Sequence, residues 1–421
     1  MPESHRNSKR AAVRASREDR IGALPDDVLQ LVLSSLPSDE VVRTCVLSQR
    51  WRHLWKSSTP ALRITRGGGR DWRAWKLNDF VNHLLLLRGG SPADECEISC
   101  DEVHRHDDDE LFRFVNLWIR HVLSFCQVRV LKICISTMRE RLPLVNTPFV
   151  SQLLTRVELK YVYLMFKTLD FSSCPALDHL KMSSCTIYGN RILSQPVRYL
   201  SITRSEFRRE IRTRISAPSL ISLQLYVISG WAPLLERMHL LVAAQVKLDY
   251  YCQDVCRHNI SGDCDCHGHF NNHDASNRCV LLESLSGATN LELTSDYDVF
   301  IFRKDCKFCP TFSKLKTLVL NEWCVAADFD ALVFFLQNSP ILENLTLQLE
   351  DYETKQPVVE TSDSYNSAEQ SFISKQLKVV EIKCRKENEL VEQIYIILRI
   401  HGVPPEKIEI QESLLSSEIC I

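Results

Sequence analysis

Residues 24–55 read LPDDVLQLVLSSLPSDEVVRTCVLSQRWRHLW, and this stretch decides how the N-terminal part of the chain folds. A helix is predicted to begin after Leu24, since Pro25 needs no backbone N–H partner there and two acidic residues follow in the first turn. Pro37 ends this helix, and Ser38 is predicted to cap the next one. Three groups of apolar residues recur at helical spacing: Val28, Leu29, Val32, Leu33 and Leu36, then Val41, Val42, Cys45 and Val46, then Trp51, Leu54 and Trp55. The sequence therefore predicts three short helices.

This three-helix unit holds more apolar residues than a core of its size needs. A domain this small buries a modest fraction of its surface and is barely stable alone. We therefore expect it to offer some of its apolar side chains to a partner.

The same stretch resembles an F-box, and the run VLSQRWRHLW looks like the plant form of that motif. The residues that carry the resemblance are Leu24, Pro25, Leu29, Leu36, Pro37, Val41, Val42, Cys45, Val46, Leu47, Ser48, Arg50, Trp51, Leu54 and Trp55. The resemblance implies docking on the Skp-type adaptor of SCF cullin–RING ubiquitin ligases, chiefly through Leu24, Pro25, Leu29, Leu36, Val41, Val42, Leu47 and Trp51. The alternative is an ordinary three-helix bundle without a ligase role.

Beyond residue 130 a short apolar-x-apolar pair returns along the chain. The pairs are Leu131/Ile133, Val157/Leu159, Leu180/Met182, Leu200/Ile202, Leu223/Leu225, Val246/Leu248, Leu291/Leu293, Leu318/Leu320, Leu345/Leu347 and Val380/Ile382. Successive pairs start 26, 23, 20, 23, 23, 45, 27, 27 and 35 residues apart, and most of these intervals suit leucine-rich repeats. Each repeat has an apolar face that only its neighbours bury, so a parallel sheet on the concave side of a solenoid is predicted. Residues between the apolar positions should point outward, namely Lys181, Ser201, Gln224, Lys247 and Thr346. An α/β domain with irregular parallel strands is the alternative.

The combination resembles the plant F-box/leucine-rich-repeat proteins, and the C-terminal segment is similar to their FBD-type region. The predicted fold class is α/β, with a three-helix F-box followed by an irregular leucine-rich-repeat solenoid. The predicted divisions are a disordered basic leader (1–19), the F-box (20–62), a helical linker or N-terminal cap of the solenoid (63–126), the repeats (127–350), a polar linker (351–373), an FBD-like C-terminal cap (374–412) and a tail (413–421).

An insertion at residues 252–279 interrupts the repeats and is rich in cysteine and histidine. Thiolate and imidazole are ligands that Zn²⁺ prefers. The paired C-x-x-C knuckles of a zinc site are missing, so no metal is expected and a polar binding loop is favoured. The zinc candidates would be Cys252, Cys256, Cys264 and Cys266. The odd total of 17 cysteines and the lack of a hydrophobic signal core favour reduced thiols in the nucleus or cytoplasm.

Composition narrows the classes of function. The net charge of −2 provides no general attraction for nucleic acid, and no apolar run is long enough to span a bilayer. The motifs HExxH, GxSxG and the Walker loop are absent from the sequence, so neither an enzyme nor a cofactor is predicted. One dense group of arginines, Arg204, Arg208, Arg209, Arg212 and Arg214, is interpreted as a solvated turn.

The sequence thus favours a non-catalytic substrate-recognition subunit of an SCF-type ubiquitin ligase. Its F-box would bind the Skp-type adaptor, and through it a cullin, while its repeats would hold a target protein. Two alternatives stay open: a leucine-rich-repeat scaffold with a vestigial F-box, and a small-molecule co-receptor. The identity of the target does not follow from the sequence.

Overall fold

The computed structural model describes residues 21–57, 60–66, 73–101, 108–136, 142–144, 149–208, 212–255, 279–325, 329–349, 376–386 and 388–412. Four of the predicted segments lie wholly or mostly outside these residues: the leader, the Cys/His-rich insertion, the polar linker and the tail.

Three short helices form the F-box, as predicted: α1 (Asp26–Ser34), α2 (Ser38–Arg43) and α3 (Trp51–Ser57). The prediction that Ser38 caps α2 is wrong. Pro37 occupies the cap position, and the Ser38 hydroxyl instead accepts the backbone N–H of Arg63 at 3.1 Å. Ser38 therefore joins the F-box to the first strand of the sheet.

Six further α-helices lie along the described part of the chain: α4 (Ala74–Arg88), α5 (Asp108–Phe125), α6 (Leu282–Leu285), α7 (Ile301–Cys306), α8 (Asp330–Asn338) and α9 (Glu389–Ile400). The strands are β1 (Ala61–Arg66), β2 (Glu95–Asp101), β3 (Val130–Ser136), β4 (Leu142–Leu144), β5 (Arg156–Lys160), β6 (Val162–Leu164), β7 (Thr168–Asp170), β8 (His179–Ser183), β9 (Thr186–Ile187), β10 (Arg191–Leu193), β11 (Tyr199–Phe207), β12 (Arg214–Ser216), β13 (Ser222–Gly230), β14 (Leu234–Leu235), β15 (Ala243–Cys252), β16 (Asn290–Ser295), β17 (Thr317–Asn321), β18 (Asn344–Gln348), β19 (Val379–Cys384) and β20 (Ile408–Glu412).

A parallel sheet of 16 strands runs through the described residues. Its main order is β1-β2-β3-β5-β8-β11-β13-β15-β16-β17-β18-β19-β20, with β4, β6 and β9 extending it at the side. The predicted linker of residues 63–126 contains α4 and α5 and also contributes β2 and most of β1 to this sheet. The solenoid thus begins directly after α3 of the F-box.

The return segments of the repeats differ along the solenoid. Near both ends a helix leads from one strand to the next, whereas in the middle the return is a short strand. These middle returns pair with each other in a second parallel sheet of order β14-β12-β10-β7. The shorter repeat intervals of 20 to 23 residues fall in this part of the chain, where extended returns replace helices.

Nine of the ten predicted strand pairs occupy equivalent positions in the sheet, and the pair on β15 is two residues out of register. Leu223 of β13 lies opposite Ala244, and Ala244 lies opposite Leu291 of β16. In β15 the alternate positions 244, 246 and 248 are all apolar. The sequence pattern alone therefore does not determine which of them lies opposite Leu223.

The alternation itself follows the prediction: apolar positions face the core, and the residues between them face the concave side. Leu180, Ile202 and Leu225 are at most 1% exposed. Side chains at the ends of the strands satisfy backbone groups of neighbouring repeats. Asn321, for example, accepts the Ser295 N–H at 3.0 Å and donates to the Ser295 carbonyl at 2.8 Å.

The C-terminal segment runs in the order strand, helix and strand, through β19, α9 and β20. Asn388 caps α9 by accepting the Val391 N–H at 3.1 Å, and Gly402 follows the helix with φ of 89°. β20 then pairs with β19 at the end of the sheet. Its assignment to an FBD-type region stays a prediction.

Candidate functional site

The eight predicted adaptor-binding residues fall into three groups by exposure. Leu29, Val41 and Trp51 are at most 6% exposed and belong to the F-box core. Leu24, Leu36 and Val42 are partly buried against that core. The remaining two, Pro25 and Leu47, are exposed. Direct contact with an adaptor is thus open to the exposed and partly buried residues, while the core residues hold the helices in place.

Other apolar residues of the F-box are exposed but were not among the predicted contacts. Leu31 and Val46 are 69% and 88% exposed, and Val28 and Val32 are more than 40% exposed. Val28, Leu31 and Val32 share one face of α1, because residues three and four apart in a helix are neighbours. The helical spacing signals an apolar stripe but does not say which residues face inward.

Arg50 fixes the loop after α2 against the start of α1. Its guanidinium pairs with Asp26 and donates to the Gly22 carbonyl at 2.6 Å. Arg50 thereby ties the segment between α2 and α3 to the residues that open α1.

Two buried or half-buried arginines join the F-box to the solenoid. Arg63 of β1 donates to the Ser34 carbonyl at 2.9 Å and pairs with Glu97 of β2. Arg88, at the end of α4, donates to the Trp55 carbonyl at 3.2 Å, and burial lowers its pKa. The F-box helices thus pack against the β1 end of the sheet.

A groove of about 820 Å³ lies on the concave side of the sheet, over strands β5 to β15. We call it the central groove. Its lining residues are Arg156, Lys160, Tyr161, His179, Leu180, Lys181, Ser183, Ser184, Tyr199, Leu200, Ser201, Thr203, Arg204, Ser222, Gln224, Tyr226 and Lys247. Three of the outward-facing residues predicted from the repeats on these strands, Lys181, Gln224 and Lys247, are exposed, and Ser201 is half-buried.

The lining of the central groove is basic. It includes five lysines and arginines and no acidic residue. Arg156 pairs with Glu158 at 2.6 Å. Within the described part of the chain, Lys160, Lys181, Arg204 and Lys247 form no ion pair with a carboxylate. Lys160 lies 4.9 Å from the centre of the Tyr161 ring, and Lys247 lies 5.1 Å from that of Tyr226.

Polar side chains cross the floor of the groove as a hydrogen-bonded row. Ser201 donates to Gln224 at 2.8 Å, Gln224 donates to Gln245 at 3.1 Å, and Gln245 donates to Glu292 at 3.0 Å. At one wall Tyr226 donates its hydroxyl to Asp249 at 2.9 Å, and its burial together with this bond raises its pKa to about 12. The floor is therefore ordered by contacts between neighbouring strands.

Left-handed backbone recurs at one rim of the groove. Tyr161, Ser184 and Arg204 have φ of 57°, 52° and 50°, and they stand 23 and 20 residues apart, which is the repeat spacing. Such φ values are costly for residues with a side chain. Hydrogen bonds to the next repeat stabilise this backbone conformation. The Tyr161 N–H donates to the Ser183 carbonyl at 3.1 Å, and the Ser184 N–H donates to the Thr203 carbonyl at 2.9 Å.

The interpretation of the arginine group as a solvated turn is wrong for Arg212. This side chain is 4% exposed, pairs with the buried Asp254, and donates to the Ala232 carbonyl at 2.8 Å. Arg204 lies in the central groove, and Arg208 pairs with Glu206 at 2.7 Å on the surface. Arg209 lies outside the described residues. No local pattern indicates that Asp254, 42 residues further along the chain, pairs with Arg212.

Of the four zinc candidates, only Cys252 belongs to the described part of the chain. It is 3% exposed, its Sγ lies 3.6 Å from Asp254, and burial raises its pKa to about 12. No group of three or more potential ligands is found among the described residues. Cys256, Cys264 and Cys266 lie outside them. None of the helices in the described ranges combines the length and the apolar character that a membrane crossing needs.

Comparisons with known proteins place both parts of the chain. Residues 21–61 match the F-box domain, and residues 126–402 match the At1g61320/AtMIF1 LRR domain. The rice protein MEIOTIC F-BOX protein MOF is 26% identical over 360 residues, which cover 78% of this chain and 71% of that protein. F-box/LRR-repeat protein 13 of Arabidopsis thaliana is 24% identical over 375 residues, covering 80% and 78%.

Other relatives match a shorter stretch of the chain. F-box/FBD/LRR-repeat protein At5g22660 of Arabidopsis thaliana is 51% identical over 57 residues, which are 14% of this chain and 12% of that protein. The repeat-domain match covers more than half of the chain, and the F-box match adjoins the start of the solenoid. The chain therefore belongs to the At1g61320/AtMIF1 leucine-rich-repeat family and, with its N-terminal F-box, is a plant F-box/leucine-rich-repeat protein.

Proposed function

We propose that this chain is the non-catalytic target-recognition subunit of an SCF-type ubiquitin ligase. In this proposal the F-box binds a Skp-type adaptor, and through it a cullin, while the concave side of the sheet holds a target protein. The observation that carries the proposal is the set of exposed apolar residues of the F-box. Leu31 of α1, and Val46 and Leu47 between α2 and α3, are 67% to 88% exposed, although Leu29, Leu33 and Val41 of the same helices are buried in the core.

Exposed apolar side chains of this size favour a protein contact, because burying them removes apolar surface from water. Pro25, Val28, Leu31, Val32, Val46 and Leu47 would make the contact, with Leu24, Leu36 and Val42 at its edge. Leu29, Val41 and Trp51 would act by keeping the helices in position.

Such a subunit would accelerate ubiquitin transfer by proximity. Holding the target beside the rest of the ligase converts an encounter between separate molecules into a reaction within one complex. The contacts between Arg63, Arg88 and the F-box would keep adaptor and target at a fixed relative position, since they link the adaptor-binding helices to the first strands of the sheet.

Titration of the full-length chain with a recombinant Skp-type adaptor tests the proposal. We expect the double variant Leu31→Ala/Leu47→Ala to bind the adaptor about 30-fold more weakly, because two interface anchors at about 1 kcal/mol each give that factor. The matched control is Leu86→Ala/Leu117→Ala, which removes leucines that are 77% and 58% exposed on α4 and α5.

Equal losses in the two double variants, or undiminished binding of the F-box variant, would refute the assignment of this surface. If the unaltered chain does not bind the adaptor at all, a repeat scaffold with a vestigial F-box replaces the proposal.

A further inference from the structure

We infer that the central groove binds an extended acidic segment of the target protein, about six residues long and rich in aspartate and glutamate. This inference rests on the proposed function, since it names the chemistry of the target that the concave side would hold. Three features of the groove support it: its unneutralised cations, their spacing and its polar floor.

The cations are available to a ligand. Lys160, Lys181, Arg204 and Lys247 are exposed, and none of them pairs with a carboxylate within the described residues. Two carboxylates beside the groove pair with arginines: Glu158 with Arg156 at 2.6 Å and Asp178 with Arg198 at 3.9 Å. Asp249 accepts a hydrogen bond from Tyr226. An incoming anion therefore meets a concave surface whose lining carries cations and no carboxylate, and such a surface attracts anionic ligands.

The spacing of the cations selects a ligand with several charges. Lys160 lies on β5, Lys181 on β8, Arg204 on β11 and Lys247 on β15. The path from β5 to β15 crosses four strand intervals, or about 19 Å at the usual separation of neighbouring strands. An extended peptide advances about 3.3 Å per residue, so about six residues cover this distance. A single phosphate group would reach only one or two of these cations, whereas successive carboxylates would meet each in turn.

The floor and walls suit a peptide backbone. The row Ser201, Gln224 and Gln245 presents amide and hydroxyl groups along the same direction as the cations. Tyr199 is 39% exposed and stacks on His179 with ring centres 4.5 Å apart, which offers a flat apolar surface beside the charges. Such polar and aromatic groups hydrogen-bond and pack against a chain without requiring a deep pocket.

Fluorescence anisotropy with the full-length chain tests the inference. The probe is a fluorescein-labelled octapeptide of alternating aspartate and glutamate. Its comparison probes are the asparagine/glutamine counterpart and a neutral octapeptide with one phosphoserine. We expect the acidic octapeptide to bind, with an affinity that falls as salt concentration rises, and the neutral counterpart not to bind.

The double variant Lys181→Glu/Lys247→Glu should weaken binding of the acidic octapeptide about tenfold or more, since each reversal replaces an attraction with a repulsion. The matched control, Lys307→Glu/Lys314→Glu, makes the same change of charge at exposed lysines outside the groove. It should bind within about twofold of the unaltered chain, because distant exposed charges are screened by salt. Lys181→Gln/Lys247→Gln should give an intermediate loss, and circular dichroism should show unchanged folding in all three.

Three outcomes would overturn the inference: no binding of the acidic octapeptide, equal losses in the groove and control variants, or groove-dependent binding of the phosphoserine peptide alone. The adaptor titration on the same samples separates this inference from the proposed function. Loss of adaptor binding in Leu31→Ala/Leu47→Ala with unchanged octapeptide binding supports both. Adaptor binding without octapeptide binding overturns the inference alone, and octapeptide binding without adaptor binding overturns the ligase role alone.

Discussion

In the F-box, Leu31 and Val46 are 69% and 88% exposed, whereas Ile202 and Leu225 in the middle of the sheet are completely buried. Both regions are patterned with apolar residues at regular spacing. In the sheet, neighbouring repeats of the same chain cover the apolar face of each strand. In the F-box, three short helices pack on each other, on β1 and on α4, and several of their apolar residues have no cover within the described residues.

Regular apolar spacing therefore has two meanings in this chain. In the sheet it marks positions that stabilise the fold, and in the F-box it marks both the fold and a surface for a partner. Substitutions at matched positions in the two regions should therefore differ in their effect on stability.

The largest difference is expected between two glycines. Gly230 of the sheet has φ of 88°, and a Cβ there would lie 1.8 Å from the Phe207 carbonyl oxygen. Gly89, which follows α4 beside the F-box, has φ of 56° with open space around it. We expect Gly230→Ala to lower the free energy of unfolding by about 5 kcal/mol, because the backbones of β13 and β11 would have to move apart at this point.

Gly89→Ala should cost about 1 kcal/mol from its left-handed conformation alone. Chemical denaturation followed by circular dichroism measures both. Equal losses in the free energy of unfolding at the two positions would contradict this expectation. They would show that the sheet accommodates an added methyl group beside Phe207.

Two arginine–carboxylate pairs give the next contrast. Arg212 and Asp254 are 4% and 1% exposed at their side chains, whereas Arg50 and Asp26 of the F-box are 37% and 57% exposed. Arg212→Ala should destabilise the chain by about 4 kcal/mol, because it leaves a buried carboxylate without its partner.

Arg50→Ala should cost at most about 1 kcal/mol, since water screens an exposed pair. The free energies of unfolding in denaturant provide the test. A loss below about 1 kcal/mol for Arg212→Ala would mean that water reaches Asp254 readily.

A leucine in each region gives the smallest effects. Leu225→Ala should lower the free energy of unfolding by about 3 kcal/mol, because it leaves a cavity between stacked strands. Leu31→Ala should change it by less than about 0.5 kcal/mol, since the side chain lies in solvent. The midpoint of thermal unfolding tests this, and it should be lower for Leu225→Ala than for Leu31→Ala. A large stability loss for Leu31→Ala would place this residue in the fold and remove it from the adaptor surface.

Much of the architecture followed from local patterns. The alternation of apolar residues located nine of the ten strand pairs in register, and the three F-box helices followed from Pro25, Pro37 and the helical spacing of apolar residues. The two-residue error on β15 and the misassigned role of Ser38 share a cause. In both, a contact with a residue distant in the chain, Leu223 or Arg63, decided between local arrangements that the sequence allowed equally.

The candidate binding surfaces also depend on contacts between residues that are distant in the chain. Exposure of Leu31 and burial of Leu29 depend on which face of α1 meets the rest of the F-box, and helical spacing alone does not specify that face. The central groove collects cations from positions 160, 181, 204 and 247, which no short motif would group.

Local sequence patterns specify the F-box helices, the parallel strands and their apolar face, because these depend on residues a few positions apart. Three features arise only in the folded chain: the register of β15, the burial of Arg212 against Asp254, and the gathering of basic side chains into one groove. These depend on which residues, tens of positions apart, come to lie on adjacent strands, and that is settled only when the repeats stack.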